Sequence, residues 1–335
     1  MPIRLLLAAL VVAMLPSTAA AQARGGATCD RQCLVTAAEQ YLDALAAKDL
    51  KRIQVAPTVR YTENGQRLRL GDGLWNSASG RGTYKLHVAD TTLGQVVTFT
   101  TMREAGTPIL LAVRLKVENK VFSEIEAQVA RSENAAKNLE ATGKPREAFS
   151  RPTPPADRMS RAELVRVANM YFSGMQLNDG KGTYPFADDC DRLENGGRTT
   201  NAPGRGGAAR PDPKTASNYS AMWTCREQFE SGLLHFVSRI RDRRYLAVDE
   251  EHGLVVAFAF FDHDAGASRT FKTPDGRTVT AGPTTPWTWQ IAELFKVEKG
   301  LLHEIEAVLE RVPYGMPSGW SSWEDAMSDK VQWSR

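Results

Sequence analysis

The chain has little of what usually announces a chemistry. It carries five histidines in 335 residues, and none stands with carboxylates or cysteines at metal-ligand spacing, which argues against a metal centre. It has no Gly-rich phosphate loop, dinucleotide fingerprint or serine nucleophile elbow, so no cofactor is expected. The net charge is only +3 and no basic run holds interleaved aromatics. Nucleic acid is therefore not an expected partner. After Leu15 no apolar run is long enough to span a bilayer, so no membrane span is expected.

What the sequence does have begins at the N-terminus. Arg4, the apolar run Leu5–Leu15 and the small residues around Ala21 and Ala23 read as a cleaved signal peptide over residues 1–23. The mature protein is expected in the periplasm or outside the cell. Gly26-Ala27-Thr28 before Cys29 lacks the aliphatic residue of a lipoprotein signal, so no lipid anchor is expected. Export turns the four cysteines into disulfide partners rather than ligands or nucleophiles. Of three possible pairings, Cys190–Cys225 and Cys29–Cys33 are expected, because the first pair flanks a Gly-rich stretch. Its loop of about 35 residues would contribute about 3–4 kcal/mol.

A repeat organises the remainder. Leu115–Arg131 and Phe295–Arg311 share Lys116/Lys296, Val117/Val297, Glu118/Glu298, Glu124/Glu304, Ile125/Ile305, Glu126/Glu306, Ala127/Ala307 and Arg131/Arg311. Each copy reads as a hairpin with its turn at Asn119-Lys120 or Lys299-Gly300. Lys116 with Glu124, and Lys296 with Glu304, are expected as cross-strand ion pairs. Upstream, amphipathic helices over Gln32–Leu50 and after the capping box Ser160–Glu163 precede Glu63-Asn64-Gly65 and Glu194-Asn195-Gly196 turns. Further hairpins turn at Asp90–Gly94 and Asp249–Gly253.

The expected organisation is a first domain over 28–131, a Pro-rich linker over 132–158 and a second domain over 159–312. The second domain contains an insertion (197–220), read either as a mobile binding loop or as disorder. The tail 313–335, with Tyr314, Trp320, Trp323 and Trp333, is expected to pack on its own domain.

Thr62–Trp75 (TENGQRLRLGDGLW), Ile240–Gly253 (IRDRRYLAVDEEHG) and Val312–Trp320 (VPYGMPSGW), together with the closing hairpins, resemble exported tandem SnoaL-like proteins without assigned function. The resemblance implies an α+β chain of two tandem SnoaL-like cones of the nuclear-transport-factor-2-like type. Each would be a curved antiparallel sheet wrapped on helices, with a pocket on the concave side. That fold hosts isomerases, dehydratases, cyclases, hydrolases and plain binders, so activity must come from the site.

The repeat also serves as a control for chemistry. Strand alternation aligns Tyr84, Leu86 and Val88 with Arg243, Tyr245 and Ala247, and Val113 with Glu293. It aims Arg243, Tyr245, Asp262 and Glu293 at the interior of the second domain. Charged groups where a sister domain is apolar are costly unless paired or used. The catalytic reading makes Glu293 or Asp262 a general acid/base, with Arg243 polarising a substrate oxygen and Tyr245 donating a hydrogen bond. Arg241, Trp287, Trp289, Tyr171, Phe258 and Phe260 are the candidate ligand contacts. The same residues would equally form a buried structural ion pair. A β-bulge would exchange Arg243 for Asp242 and Arg244. His263 alternates onto the face opposite Asp262 and is expected at the surface. The expected partner is a small apolar or aromatic molecule, acted on by a cofactor-independent lyase, isomerase or hydrolase. The alternative is a non-catalytic binding protein or a tandem scaffold.

Overall fold

The computed structural model describes residues 29–333, and the expected leader lies outside them. The first unit runs α1 (Arg31–Ala47), β1 (Val55–Glu63), β2 (Gln66–Leu68), α2 (Leu74–Ser77), β3 (Ala78–Asp90), β4 (Gln95–Glu104), β5 (Thr107–Glu118) and β6 (Val121–Ala130). Two short helices follow, α3 (Glu133–Ala141) and α4 (Glu147–Ser150). The second unit then runs α5 (Arg161–Met175), β7 (Phe186–Glu194), β8 (Gly197–Arg198), α6 (Cys225–Glu230), β9 (Arg239–Asp249) and β10 (Leu254–His263). It continues with the side hairpin β11 (Thr270–Lys272) and β12 (Thr278–Thr280), then β13 (Trp287–Glu298) and β14 (Leu301–Val312). The tail adds α7 (Trp323–Ala326) and β15 (Val331–Trp333).

The protein is α+β, built on two large mixed sheets. Their orders are β2-β1-β6-β5-β4-β3 and β8-β7-β14-β13-β10-β9-β15. The same order thus occurs twice, with β15 added at one edge. In both, the first strand lies parallel to the last of the meander, β1 to β6 and β7 to β14. The two repeated segments form β5–β6 and β13–β14 in the same register, with Lys116 opposite Glu124 and Lys296 opposite Glu304.

The Glu-Asn-Gly turns show why the sequence repeats there. Asn64 and Asn195 adopt φ of +45° and +48°, and Gly65 and Gly196 φ of +75° and +70°, as a two-residue hairpin of this hand requires. Each Asn side chain then docks on the meander. Asn64 donates to the Val129 carbonyl at 2.9 Å and accepts from its N–H at 2.7 Å. Asn195 makes the same pair with Leu309 at 2.9 Å each.

Helix α1 covers one face of the first sheet, burying Leu34, Ala38, Tyr41 and Leu45 against Val96, Val113 and Leu115. Helix α5 covers the second sheet in the same way with Leu164, Ala168, Tyr171 and Phe172. The remaining faces pack against each other, joining Leu86, Val97 and Phe99 to Leu246, Val256, Phe258 and Leu294 in one core.

Several expectations need correction. The 132–158 stretch joins the units but is not a bare linker. Its first residues carry no proline, Ser132 caps α3, and Ala136, Leu139 and Phe149 are buried at the edge of the inter-sheet core. The insertion is anchored rather than free. Arg277 donates to the Ala216 and Pro213 carbonyls at 2.6 and 3.1 Å, and the buried Trp223 indole donates to Pro211 at 2.7 Å. The tail packs on its own domain as expected, β15 pairing with β9, but it also reaches the other unit: Trp320 donates to Thr62 at 2.8 Å, and its ring lies beneath Arg60 and Arg114. The Lys–Glu pairs are weak or absent. Lys116 is 3.8 Å from Glu124, which binds Arg114 at 2.6 Å, while Arg146 takes Glu304 and Lys296 turns to Glu298 at 3.0 Å. Arginines nearby outcompete the lysines with their forked donors. Both disulfides form as expected, Cys29–Cys33 and Cys190–Cys225.

Candidate functional site: a buried carboxyl behind an aromatic pocket

The second sheet does not gather the expected residues on one face. Glu293 on β13 stands opposite Ala257, not Phe258, on β10. One residue of register at that hairpin therefore separates two faces that strand alternation alone would merge. Strand β9 adds irregularities at Leu246 and around Asp242, whose φ is +50°. Arg243, Tyr245, Tyr171 and Glu293 consequently lie on the α5 side, with Trp287 and Trp289 on the same face. Asp262, Arg241, Phe258 and Phe260 lie on the other.

On that other face, Asp262 is a structural knot rather than a base. It is fully buried and accepts from Arg239 at 2.7 and 2.9 Å, from Arg241 at 2.8 and 3.1 Å, and from Thr288 at 2.7 Å. Burial opposes its charge, but Arg241 and the other donors hold its pKa below the usual value. Arg241 also donates to the Met316 and Ala326 carbonyls, so the pair fastens the tail to the sheet. Phe260 lies under the Arg241 guanidinium, and Phe258 belongs to the inter-sheet core. None of the four faces the pocket. Arg243 is likewise satisfied, donating to Ile240, Asn169, Ser173 and Gln176 at 2.8–3.2 Å. The Tyr245 hydroxyl donates to Asn169 at 3.1 Å.

Glu293 is different. Its side chain is completely buried, and neither carboxylate oxygen makes a well-formed hydrogen bond; the Tyr171 hydroxyl is near enough only to stabilise the charged form in part. Burial first, then the negative charge of Glu194, push its pKa up to about 8, with Arg192 and the Tyr171 hydroxyl offsetting part of that rise. It is therefore a neutral acid at physiological pH. Tyr171 sits among Phe172, Phe186, Phe229 and Phe295, ring centroids 5.2–6.2 Å away, and its hydroxyl accepts from Arg192 at 2.9 Å. Arg192, itself buried, also contacts Glu194 at 3.2 Å and donates to Gln228 at 2.5 Å.

Arg192 and Glu194 open onto a cavity of about 70 Å³ whose wall includes Tyr219, Phe236, His263 and Trp289. The expected contact Trp289 thus lines it. Trp287 stands one layer out, stacked on His263 at 3.9 Å and edge-on to Trp289 at 4.5 Å. His263 is opposite Asp262 as expected, but it is buried rather than at the surface, because this face is the pocket face. Burial lowers its pKa to about 4, so the imidazole is neutral.

The first domain shows what has been exchanged. Through the shared strand registers, Arg192 corresponds to Tyr61 and Glu293 to Val113. There Glu63, the counterpart of Glu194, accepts from Tyr61, the Leu74 N–H and Arg131, and Trp75 packs on Tyr41 at 5.6 Å. Tyrosine and valine have given way to arginine and glutamate within one interior. Arg192 was missed, although counting back from the Glu-Asn-Gly turn sets it against Tyr61. Tyr219 and Gln228 have no counterpart in the repeat and offered no such signal.

A group of metal-ligand side chains, Asp249, Glu251 and His252, lies at the β9–β10 turn. Arg31 already bridges Asp249 at 2.6 Å and Glu251 at 3.0 Å, which supplies the cation there. Among the described residues, no helix is long and apolar enough to cross a membrane. Residues 157–309, from α5 through most of β14, match a family model described as a domain of unknown function (DUF8021). No curated protein matches the chain.

Proposed function

We propose that the chain is an exported pair of SnoaL-like cones whose second domain admits a small, largely aromatic molecule and moves a proton with Glu293. The repeated six-strand order, each sheet with a helix on one face, supports the cone reading. The two disulfides fit an oxidising compartment. The observation that carries the functional reading is the unpartnered, buried Glu293 where the sister domain has valine. A carboxyl left unsatisfied at such cost is a candidate for proton transfer near neutral pH.

In this reading the cavity binds a neutral ring against Trp289, because Arg192 and Glu194 already balance each other and His263 is uncharged. Arg192 steadies a substrate oxygen. Glu293 and the Tyr171 hydroxyl stand one layer behind the cavity wall, so the substrate reaches them when the Arg192–Glu194 pair parts; Glu293 then gives its proton to one atom of the substrate and recovers one from another. Such a cycle suits an isomerase or lyase that needs no cofactor. The cavity is smaller than the ~300–1,000 Å³ that encloses drug-sized ligands, so entry requires Tyr219 to part from Phe236, now 6.1 Å away.

The test is a ligand screen by thermal shift followed by product analysis of each hit. Glu293→Gln should keep fold and binding and cut turnover by roughly 10²-fold or more. Ligand binding without turnover in the unmodified protein would support a non-catalytic binder, and full turnover in the variant would remove Glu293 from the chemistry.

A further inference from the structure

Equivalent strands of the two domains meet across the interface, β6 against β14 and β3 against β9. Equivalent positions at its two ends should then be alike, and they are not. At one end Leu86, Leu254 and Leu294 are buried in the common core. The shared registers place Arg244, Gln95 and Arg114 at the corresponding positions of the other end. Around them lies a cleft of about 500 Å³, closed on one side by the tail from Trp320 to Asp325 and by Gln332. We propose that this cleft is a second binding site, for a small hydroxylated carboxylate of the sugar-acid class.

The cleft wall sets Arg60, Arg114 and Arg244 against Glu124 and Asp325, and an anion is favoured by the one of these three cations left without a carboxylate among the described residues. Arg114 is answered by Glu124 at 2.6 Å and Glu126 at 3.2 Å, and Arg244 by Glu126 at 2.7 Å and Asp242 at 3.3 Å. Arg60, on the cleft wall, has no carboxylate within 4.0 Å among the described residues. It donates to the Gly319 carbonyl and lies 4.2 Å over the Trp320 ring. Burial and then Arg67 lower its pKa, with Glu124 and Glu126, beyond salt-bridge distance, offsetting part of that fall. Its counterpart in the second domain is an acid, Asp191.

The shape favours a polar ligand. A cluster whose role is only to hold the domains would close on itself, as Asp262 does with Arg239 and Arg241. Here a volume in the range of small-molecule sites stays open, walled by Gln95, Ser321, Ser322 and Gln332. The serine hydroxyls already donate to Asp242 and Asp325 and the Gln95 oxygen accepts from Arg114, which leaves hydroxyl lone pairs and the Gln95 amide N–H groups to meet ligand hydroxyls. A guanidinium with free donors pairs with a carboxylate through forked hydrogen bonds.

Isothermal titration of the full chain with sodium glucuronate, glucose and sodium chloride at matched ionic strength tests this. Glucuronate should bind at one site per chain, glucose more weakly, and chloride without measurable heat. Arg60→Gln should weaken glucuronate by roughly tenfold or more, the usual consequence of losing a charge-assisted bond. Gln95→Leu, which installs the residue buried at this place in the second domain, probes the wall independently if Arg60→Gln lowers the melting temperature. No binding of glucuronate, equal binding of glucuronate and glucose, or undiminished affinity in both folded variants would overturn the proposal.

Discussion

Replacing Glu293 with valine, the residue at the matching place in the first domain, should make the protein more stable. Below pH 5 the buried carboxyl is neutral and its oxygens lack partners, which costs about 1–3 kcal/mol. Valine has nearly the same volume and no such atoms. A second contribution depends on pH. In the unfolded chain this carboxyl ionises near its ordinary value of 4.5, whereas in the folded chain it holds its proton up to about 8. The folded state therefore binds the extra proton between those values, and stability falls as pH rises through that window. A shift of this size removes up to about 5 kcal/mol by pH 8. Glu304, pushed up to about 7 chiefly by burial, adds to the slope in both proteins, so the difference between them isolates Glu293. Urea unfolding at about pH 5, 6.5 and 8 reads it directly. Glu293→Val should lead by about 1–3 kcal/mol at the acid end and by more at pH 8. A variant no more stable than the parent at pH 8, or a lead that does not grow with pH, would refute the reasoning.

Removing the long disulfide by Cys190→Ser with Cys225→Ser should cost about 3–4 kcal/mol, read as a lower melting temperature that reductant changes less than in the parent, since only the short Cys29–Cys33 bridge remains. Asn195→Ala should cost about 1–3 kcal/mol through the unpaired Leu309 amide and carbonyl, and Asn64→Ala should cost a similar amount, both measured by chemical denaturation. Arg241→Met leaves Asp262 short of its buried partner, with a loss of about 3–5 kcal/mol; limited proteolysis should show the tail cut first.

The architecture was legible because the repeat fixed it. The Glu-Asn-Gly turns, the cross-strand register of Lys116 with Glu124 and the cysteine spacing each point to one arrangement. The site was legible only in part, for a physical reason. Strand periodicity places side chains reliably along one strand, but a single slipped residue at a hairpin exchanges the faces of everything beyond it. Asp262 and Arg241 were lost that way, while Glu293 survived because its comparison with Val113 needs no face assignment. The reach of Trp320 beyond its own domain stayed hidden for another reason. A tail's sequence shows that it is aromatic, but the surface it meets is assembled from Arg60 and Arg114, far away in the chain.

The meeting of equivalent strands across the interface has a consequence for what this molecule is free to become. Two identical chains packed in the same way would be bound by their own symmetry. Each would need the same residue at the place of Val113 and Glu293, and either leucines or arginines at both ends of the seam. Joining the copies by α3 and α4 lifts that constraint. One half can stay filled by Trp75 and serve as a rigid support, while the other holds a strained acid that would be twice as destabilising if it had to be present in both.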